Sequence, residues 1–199
     1  MNCLLEFEHL NNRYFAMRHG HSLANQRAII VSQPENGLDG FGLSDQGRVQ
    51  VRESLQLIQF PFANTIIVSS DFCRARESAE IAAHSLDAVE AINLDRRLRE
   101  RNFGELELTA DSGYDDVWKA DAENPDHQVM GVESVNQVME RVTSVIVEYE
   151  NCCSNTSILL VSHGDALQIL ETAFARMDGS EHRQLEHLHT AQIRELQFG

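Results

Sequence analysis

The stretch Tyr14-Phe-Ala-Met-Arg-His-Gly-His-Ser22 joins a short apolar run to a polar turn with an arginine, two histidines and a glycine. The apolar part is too short, and ends too abruptly, for a helix, so it predicts a buried β-strand. The turn places the permanent positive charge of the arginine, the titratable nitrogen of a histidine and the accessible backbone of the glycine at one point. These groups suit binding of an anion and nucleophilic attack on it. An ordinary polar loop fits the same residues equally well, so the rest of the chain must decide.

Two other β-branched, apolar runs, Thr65–Ser69 and Ser157–Ser162, also end in polar residues. They predict buried strands, and shorter strands are expected at 91–94 and 191–198. Helices are expected after the N-cap Ser44, at 71–86, after a capping box that begins at Ser134, and at 166–175. Strands that alternate with helices predict an α/β fold, a three-layer sandwich with a mostly parallel central sheet and helices on both faces.

Two segments lack clear periodicity. Residues 26–42 collect glycine, proline, asparagine and aspartate and are expected to form a long loop. Residues 104–131 are acidic and weakly periodic, and we interpret them as a short cap or insertion. A length of 199 residues then favours a single domain that spans 1–199.

The composition narrows the classes of partner. A net charge of −15 argues against broad nucleic-acid or anionic-membrane surfaces, so an anionic substrate must be met by local cations. No apolar run approaches the roughly 20 residues that span a bilayer, and an acidic N-terminus is unlike a signal peptide. The four cysteines show no metal-binding spacing. We therefore expect reduced thiols and a cytoplasmic location; the oligomeric state stays open, a homodimer included.

Three strand-to-helix junctions carry polar groups, namely 18–20, 70–74 and 162–164. In a parallel sheet such junctions emerge at the same carboxyl edge, where ligands of open α/β sheets bind. Two histidines and two arginines are therefore expected to converge.

Six motifs follow one another in an order that resembles the histidine phosphatase superfamily, in its phosphoglycerate mutase-like branch. The resemblance covers about residues 13 to 175 and implies a phosphoglycerate mutase-like fold. The motifs are Arg-His-Gly at 18–20, Gly-Leu-Ser at 42–44, Ser-Ser-Asp-Phe-Cys-Arg-Ala at 69–75, Leu-Arg-Glu-Arg at 98–101, Gly-Val-Glu-Ser at 131–134 and Ser-His-Gly at 162–164.

The resemblance implies a role for each matching residue. His19 is the implied nucleophile, which attacks phosphorus and forms a phosphohistidine. Arg18 and Arg74 are expected to clamp the phosphoryl oxygens, and His163 to donate to the same oxygens. Glu100 resembles the family's proton donor. The scheme needs no metal and no cofactor, since arginine and histidine neutralise the charge.

Two further residues, Ser22 and Asn25, occupy positions that often help to line the phosphate pocket in this family. His21 stands where the family more often has an acidic or small residue. It is expected either to add a second titrating group at the pocket or to pack under the loop. His182, His187 and His189 are expected in a loop before the last strand, where metal binding is an unfavoured alternative.

Several charged residues near these motifs have a simpler structural interpretation. Glu105 and Glu107 are expected to be solvated acids, with Glu105 an alternative to Glu100 as proton donor. Arg76 is expected to face solvent. Asp165 is expected to cap the helix that follows it. Leu108 stands where the family often has glycine, which leaves substrate closure in doubt.

The leading hypothesis is a metal-independent hydrolase of a small phosphorylated metabolite. The alternative on the same site is a phosphoglycerate mutase, which the short acidic segment at 104–131 disfavours because it suits a bisphosphorylated cofactor poorly. A different class is a metal-dependent hydrolase that uses His19, His21, His163 and Asp165, although the flanking arginines would repel a divalent cation. A catalytically silent phospholigand-binding or protein-interaction module is the third alternative.

Overall fold

The computed structural model describes residues 1–61, 65–86 and 91–199. In these residues five strands form one sheet in the order β3-β2-β4-β1-β5. All neighbouring strands are parallel except β5, which pairs antiparallel with β1. This confirms the predicted α/β fold with a mostly parallel sheet. The strands are β1 (Arg13–Arg18), β2 (Thr65–Ser69), β3 (Asn93–Leu94), β4 (Ser157–Ser162) and β5 (Ile193–Glu195).

The longer helices lie on both faces of the sheet, as predicted. α3 and α4 pack on one face, and α6 and α7 pack on the other. Short 3₁₀ turns connect several of these elements. The α-helices are α1 (Leu23–Arg27), α2 (Pro34–Gly37), α3 (Asp45–Leu57), α4 (Cys73–Ser85), α5 (Tyr114–Glu123), α6 (Val135–Cys152) and α7 (Gly164–Phe174).

Side chains of the central strands alternate between the two cores. Tyr14 and Ala16 of β1 join the core beneath α6 and α7, whereas Phe15 and Met17 join the core beneath α3 and α4. Strand β4, between β1 and β2, has all six residues buried. A strand that is covered on both faces has a continuous apolar sequence, which is the pattern found in β4.

Most of the expected helix starts are confirmed, and some boundaries differ. Ser44 caps α3 through Gly47 N, and Ser134 forms the capping box of α6. Helix α4 begins later than expected, at Cys73, because the Ser70 hydroxyl bonds His163 instead of capping a helix. The last strand is shorter than 191–198, since only Ile193–Glu195 pairs with β1.

The two aperiodic segments contain more helix than expected. Residues 26–42 include α2, and residues 104–131 include the ten-residue helix α5. α5 starts without a side-chain cap and follows directly on a 3₁₀ turn, so the usual start signals are missing from its sequence. None of the helices that the structure describes is long and apolar enough to span a membrane.

The loop after β1 lies directly against the first turn of α3. A Cβ added at Gly47 would lie 2.0 Å from the His21 carbonyl oxygen, and one added at Gly20 would lie 2.6 Å from the Gly47 carbonyl oxygen. The same His21 carbonyl accepts a hydrogen bond from Ser44 N at 2.9 Å. The backbone of the loop is in direct contact with the backbone of α3, so neither segment can move aside for a larger residue.

We expect Gly47→Ala to lower the free energy of unfolding by about 1–3 kcal/mol, because the added methyl group forces the loop away from α3. Gly113→Ala is the matched control, since its Cβ would meet nothing closer than 3.5 Å. Urea unfolding of the two variants and the wild type measures the difference. Equal stability of Gly47→Ala and wild type would show that this backbone contact is not rigid.

Candidate active site

The three polar junctions meet at the carboxyl edge of the sheet, because their strands are immediate neighbours. His19 N donates to the Ser162 carbonyl at 2.9 Å, and Ser70 N donates to the Val161 carbonyl at 2.9 Å. The parallel ladder therefore continues one residue beyond each strand. The sheet therefore fixes the backbone positions from which the polar side chains after each strand project.

His19 is held in one tautomer by its two ring contacts. Its Nδ1 lies 2.8 Å from the Gly20 carbonyl oxygen, which can only accept, so Nδ1 carries the proton. Arg74 Nε donates to His19 Nε2 at 3.0 Å, so Nε2 presents its lone pair. Burial lowers the pKa of His19 well below its usual value, and the nearby Arg74 and Arg18 lower the pKa further. The ring is therefore a neutral imidazole with an unprotonated Nε2.

Arg74 and Arg18 reach the site from different elements. Arg74, in the first turn of α4, is 4% exposed and donates from Nη2 to the Val31 carbonyl at 2.8 Å. Arg18, the last residue of β1, donates from Nη1 to the Leu188 carbonyl at 3.0 Å. Backbone oxygens thus orient both guanidinium groups, and neither cation forms an ion pair with a carboxylate among the described residues.

His163 follows β4 and is fully buried. Ser70 Oγ accepts from Phe72 N at 3.2 Å, which leaves its proton for His163 Nε2 at 2.9 Å. Nδ1 of His163 then carries the ring proton and is a donor. The His163 and His19 rings contact edge to face, with centroids 5.1 Å apart.

Buried nitrogens without a partner concentrate at this site. Within the described part of the chain, four buried side-chain nitrogens lack a hydrogen-bond partner, and three of them are Arg18 Nε, Arg74 Nη1 and His163 Nδ1. A buried polar group without a partner costs about 1–3 kcal/mol. Three such groups, all on residues that adjoin His19, make a site that an oxyanion would complete.

Glu100 lies beside this cluster and is half-buried. Its Oε1 accepts from Arg101 N at 2.9 Å and from Ala166 N at 3.2 Å. Burial raises the pKa of Glu100, and the nearby Asp165 raises it further, against the opposing effect of Arg74 and Arg18. A carboxyl group with a raised pKa is suited to donate a proton.

Glu100 lines two open spaces. One is a cavity of about 140 Å³, and the other is a wider groove of about 870 Å³ that runs towards α6. The groove contains the arginines at 96, 99 and 141. The small cavity is lined by Arg18, Glu100, Phe103, Tyr114, Trp118, Gly164, Asp165 and His187.

Asp165 does not cap α7, which corrects the expectation from sequence. Its oxygens accept from Trp118 Nε1 at 3.1 and 3.2 Å and lie 3.3 Å from Arg101 Nη1. Arg101 also forms a bidentate pair with Asp121 of α5, with both distances 2.7 Å. Burial alone raises the pKa of Asp165, but Arg101, His182 and Arg183 together bring it below its usual value.

This buried network is a part of the site that sequence reasoning missed. Arg101 and Asp121 are both 0% exposed, although a single sequence gives no sign that charges 20 residues apart will pair. The one available signal was the position of Arg101 directly after Glu100. The network ties the Glu100 segment to α5.

His187 was expected only in a loop, yet it contacts the site. Its Nδ1 lies 3.2 Å from Gln168 Oε1, and its Nε2 lies 2.6 Å from Arg18 Nη1. Burial and the neighbouring Arg18 lower the pKa of His187 to about 4. His187 is thus a neutral acceptor that orients Arg18.

Ser22 and Asn25 bond each other in a capping box for α1. Ser22 is fully buried, and its hydroxyl donates to Asn25 Oδ1 at 2.9 Å and accepts from Asn25 N at 3.2 Å. The Ser22 hydroxyl therefore uses its proton and one acceptor site within the capping box. His21 packs under the loop, with Nδ1 2.8 Å from Ser44 Oγ, which favours the second of its two expected interpretations.

The structure also bears on two expectations for the segment after Glu100. Glu107 is not a solvated acid, because it accepts from Ser32 N, Ser32 Oγ, Gln33 N and Asn36 Nδ2. Leu108, where the resemblance led us to expect glycine, has a positive φ of 61°, the conformation that glycine adopts most easily.

The ligand set of the metal-dependent alternative is dispersed. His21 bonds Ser44, and Asp165 bonds Arg101 and Trp118. Among the residues that the structure describes, no three His, Cys, Asp or Glu side chains are grouped so as to hold a metal ion.

Comparisons with known proteins show the family to which the chain belongs. The family model described as "Histidine phosphatase superfamily (branch 1)" matches residues 14–199. A curated protein of Erwinia tasmaniensis named "Probable phosphoglycerate mutase GpmB" is 28% identical over 176 residues, which cover 86% of this chain and 78% of the relative.

Solved structures show the same fold. Mycobacterial glucosyl-3-phosphoglycerate phosphatase in complex with VO3 matches with a TM-score of 0.76 at 22% identity, covering 92% of this chain and 91% of that chain. YhfR of Bacillus stearothermophilus matches with a TM-score of 0.72 at 22% identity, covering 92% and 90%.

Buried neutral histidines make stability depend on pH. His187 has a folded pKa of about 4, whereas an unfolded histidine has a pKa of about 6.5. Below pH 6.5 the unfolded chain binds a proton that the folded chain does not bind. The free energy of unfolding therefore falls as pH falls, by up to about 1.4 kcal/mol per pH unit for each such histidine. His19, His163 and His182, whose pKa values are also lowered by burial, act in the same direction.

We expect His187→Gln to make this pH dependence shallower by about one proton between pH 6 and pH 5. Urea unfolding at pH 7.5, 6 and 5 measures the slope, and His84→Gln, at an exposed position, is the matched control. The same slope in His187→Gln and wild type would contradict the neutral buried state of His187.

Proposed function

The chain belongs to branch 1 of the histidine phosphatase superfamily, and on that premise we propose that it hydrolyses a small phosphomonoester through a phosphohistidine on His19. One observation carries this proposal. In the described part of the chain, three buried nitrogens without partners, on Arg18, Arg74 and His163, accompany the one imidazole nitrogen of His19 that is free of a proton. A phosphoryl group has the oxygens to bond all three while its phosphorus meets His19 Nε2.

The first step transfers the phosphoryl group to the enzyme. The Nε2 lone pair of His19 forms the N–P bond while the bond between phosphorus and the ester oxygen breaks. Arg74 Nε moves from Nε2 to a phosphoryl oxygen as the substrate enters. Glu100, whose pKa is raised by burial and by Asp165, gives a proton to the leaving oxygen, and the alcohol departs.

The second step returns the enzyme to its starting state. Glu100, now a carboxylate, takes a proton from a water molecule whose oxygen attacks phosphorus, and the N–P bond breaks. The products are inorganic phosphate, neutral His19 and protonated Glu100. Throughout, the Gly20 carbonyl holds the Nδ1 proton, which stabilises the positive charge on the phosphorylated ring.

Charge neutralisation in this scheme comes from the protein. Arg18 and Arg74 supply two permanent cations without carboxylate partners among the described residues, and His163 Nδ1 supplies a neutral donor. Arg18 and His163 are positioned before the reaction, and Arg74 has only to shift its Nε from His19, so these groups stabilise the charge that develops on the oxygens in the transition state. The reaction therefore requires no divalent metal.

A phosphoglycerate mutase is the second candidate, since the curated relative from Erwinia tasmaniensis carries that name. The chemistry up to the phosphohistidine is the same. A mutase must keep its phosphoryl group from water and hold a second anionic group of the substrate. The segment 104–131 disfavours this, because its acids outnumber its single lysine, Lys119.

We expect rapid quench of the wild type with a phosphorylated substrate to trap acid-labile phosphate on His19, and His19→Ala to trap none. A screen of phosphorylated metabolites, with a mutase assay with and without bisphosphoglycerate, identifies the reaction, and His19→Ala is the blank. Activity should survive exhaustive chelation. Turnover without a phosphohistidine would refute the mechanism, and phosphoglycerate interconversion in place of phosphate release would establish the mutase.

We expect Arg74→Ala to lower kcat/KM by about a hundredfold or more, because it removes charge-assisted hydrogen bonds to the transferring group. Arg76→Ala is the matched control, since Arg76 lies two residues along α4 and contacts the Leu38 carbonyl, at 3.4 Å, and the Cys73 thiol instead of His19. Steady-state kinetics of both variants, with thermal melting to confirm folding, provide the measurement. Similar rates in the two variants would exclude Arg74 from the phosphate site.

A further inference from the structure

The small cavity beside Glu100 has an aromatic wall that the mechanism above does not use. Tyr114 opens helix α5 and stacks on Trp118, with ring centroids 5.3 Å apart and planes 13° apart. Phe103 meets Tyr114 edge to face at 4.7 Å. The Arg183 guanidinium covers the Trp118 ring at 3.8 Å. The Tyr114 ring is therefore fixed by neighbours on its face and its edge.

The hydroxyl of Tyr114 has no such partner. It forms no hydrogen bond with any residue that the structure describes. Burial raises the pKa of Tyr114, and Glu100 raises it further. The hydroxyl therefore keeps its proton at every pH at which an enzyme of this kind works, and it can donate.

The size of the cavity limits where a leaving group can lie. A volume of about 140 Å³ is roughly that of four or five water molecules. Arg18, Glu100 and Tyr114 all border this volume. A leaving group that occupies it beside Glu100 lies in the same small volume that Tyr114 lines.

We propose that the Tyr114 hydroxyl is a substrate-contacting residue, which donates a hydrogen bond to the leaving oxygen that Glu100 protonates. The inference rests on the proposed hydrolase function. An ester oxygen has two lone pairs, so one takes the proton from Glu100 and the other accepts from Tyr114. The bond strengthens as negative charge develops on that oxygen, so it stabilises the transition state more than the bound substrate.

Tyr114→Phe removes the hydroxyl and retains the ring stack. We expect it to lower kcat/KM about tenfold for an alkyl phosphate, whose leaving oxygen needs stabilisation. The change for p-nitrophenyl phosphate, whose leaving group departs without protonation, should be under twofold. The inhibition constant of inorganic phosphate should be unchanged, because phosphate has no leaving group. A purely structural effect would alter all three quantities together.

Tyr149→Phe, on α6, is the matched control and should match the wild type with every substrate. Thermal melting of each variant confirms that it folds. Equal alkyl phosphate kinetics in Tyr114→Phe and wild type would overturn the inference and place the leaving group in the wider groove that Glu100 also lines. Weaker binding of phosphate by Tyr114→Phe would also overturn it. If the wild type itself hydrolyses no phosphomonoester, the proposed function fails first, which the wild-type assay alone reveals.

Discussion

The hydrogen bond from Arg74 Nε to His19 Nε2, 3.0 Å long and shielded from solvent, is the interaction on which the site depends. It joins a helix on one face of the sheet to a strand end at its centre. A guanidinium group only donates hydrogen bonds, so its bond to His19 Nε2 requires an unprotonated lone pair on that nitrogen. Burial and positive charge together keep the ring neutral. This contact, together with the bond from Nδ1 to the Gly20 carbonyl and the burial of the ring, sets the tautomer, the charge and the direction of the imidazole.

Such a concentration of buried cations needs support elsewhere in the molecule. Arg74 and Arg18 donate to backbone carbonyls, which orient them without neutralising them. Arg101 has the opposite environment, with carboxylates of Asp121 and Asp165 around it. Among the described residues, the arginines without a carboxylate partner therefore adjoin His19, whereas Arg101, next to Glu100 in sequence, is paired. This separation concentrates uncompensated positive charge around His19.

The sequence predicted what depends on local pattern. Apolar runs that end in polar residues located β1, β2 and β4, and the parallel arrangement of the strands brought His19, Arg74 and His163 to one edge. Contacts between distant segments could not be read in this way. The sequence predicts that Asp165 caps a helix, yet its carboxylate accepts hydrogen bonds from Trp118, 47 residues away.

Helix α5 was missed for a related reason. It starts without a capping side chain and is held by partners outside itself, namely Arg101 on Asp121 and Asp165 on Trp118. Tertiary contacts, rather than helix propensity, stabilise it.

The bidentate pair between Arg101 and Asp121 has a mechanical consequence. Because Asp121 lies on the same helix as Tyr114, α5 cannot swing away from Glu100 without separating two buried charges. Removing one partner from a buried ion pair costs about 3–5 kcal/mol, so a movement that separates Arg101 from Asp121 is strongly disfavoured. The segment is therefore a fixed wall beside Glu100.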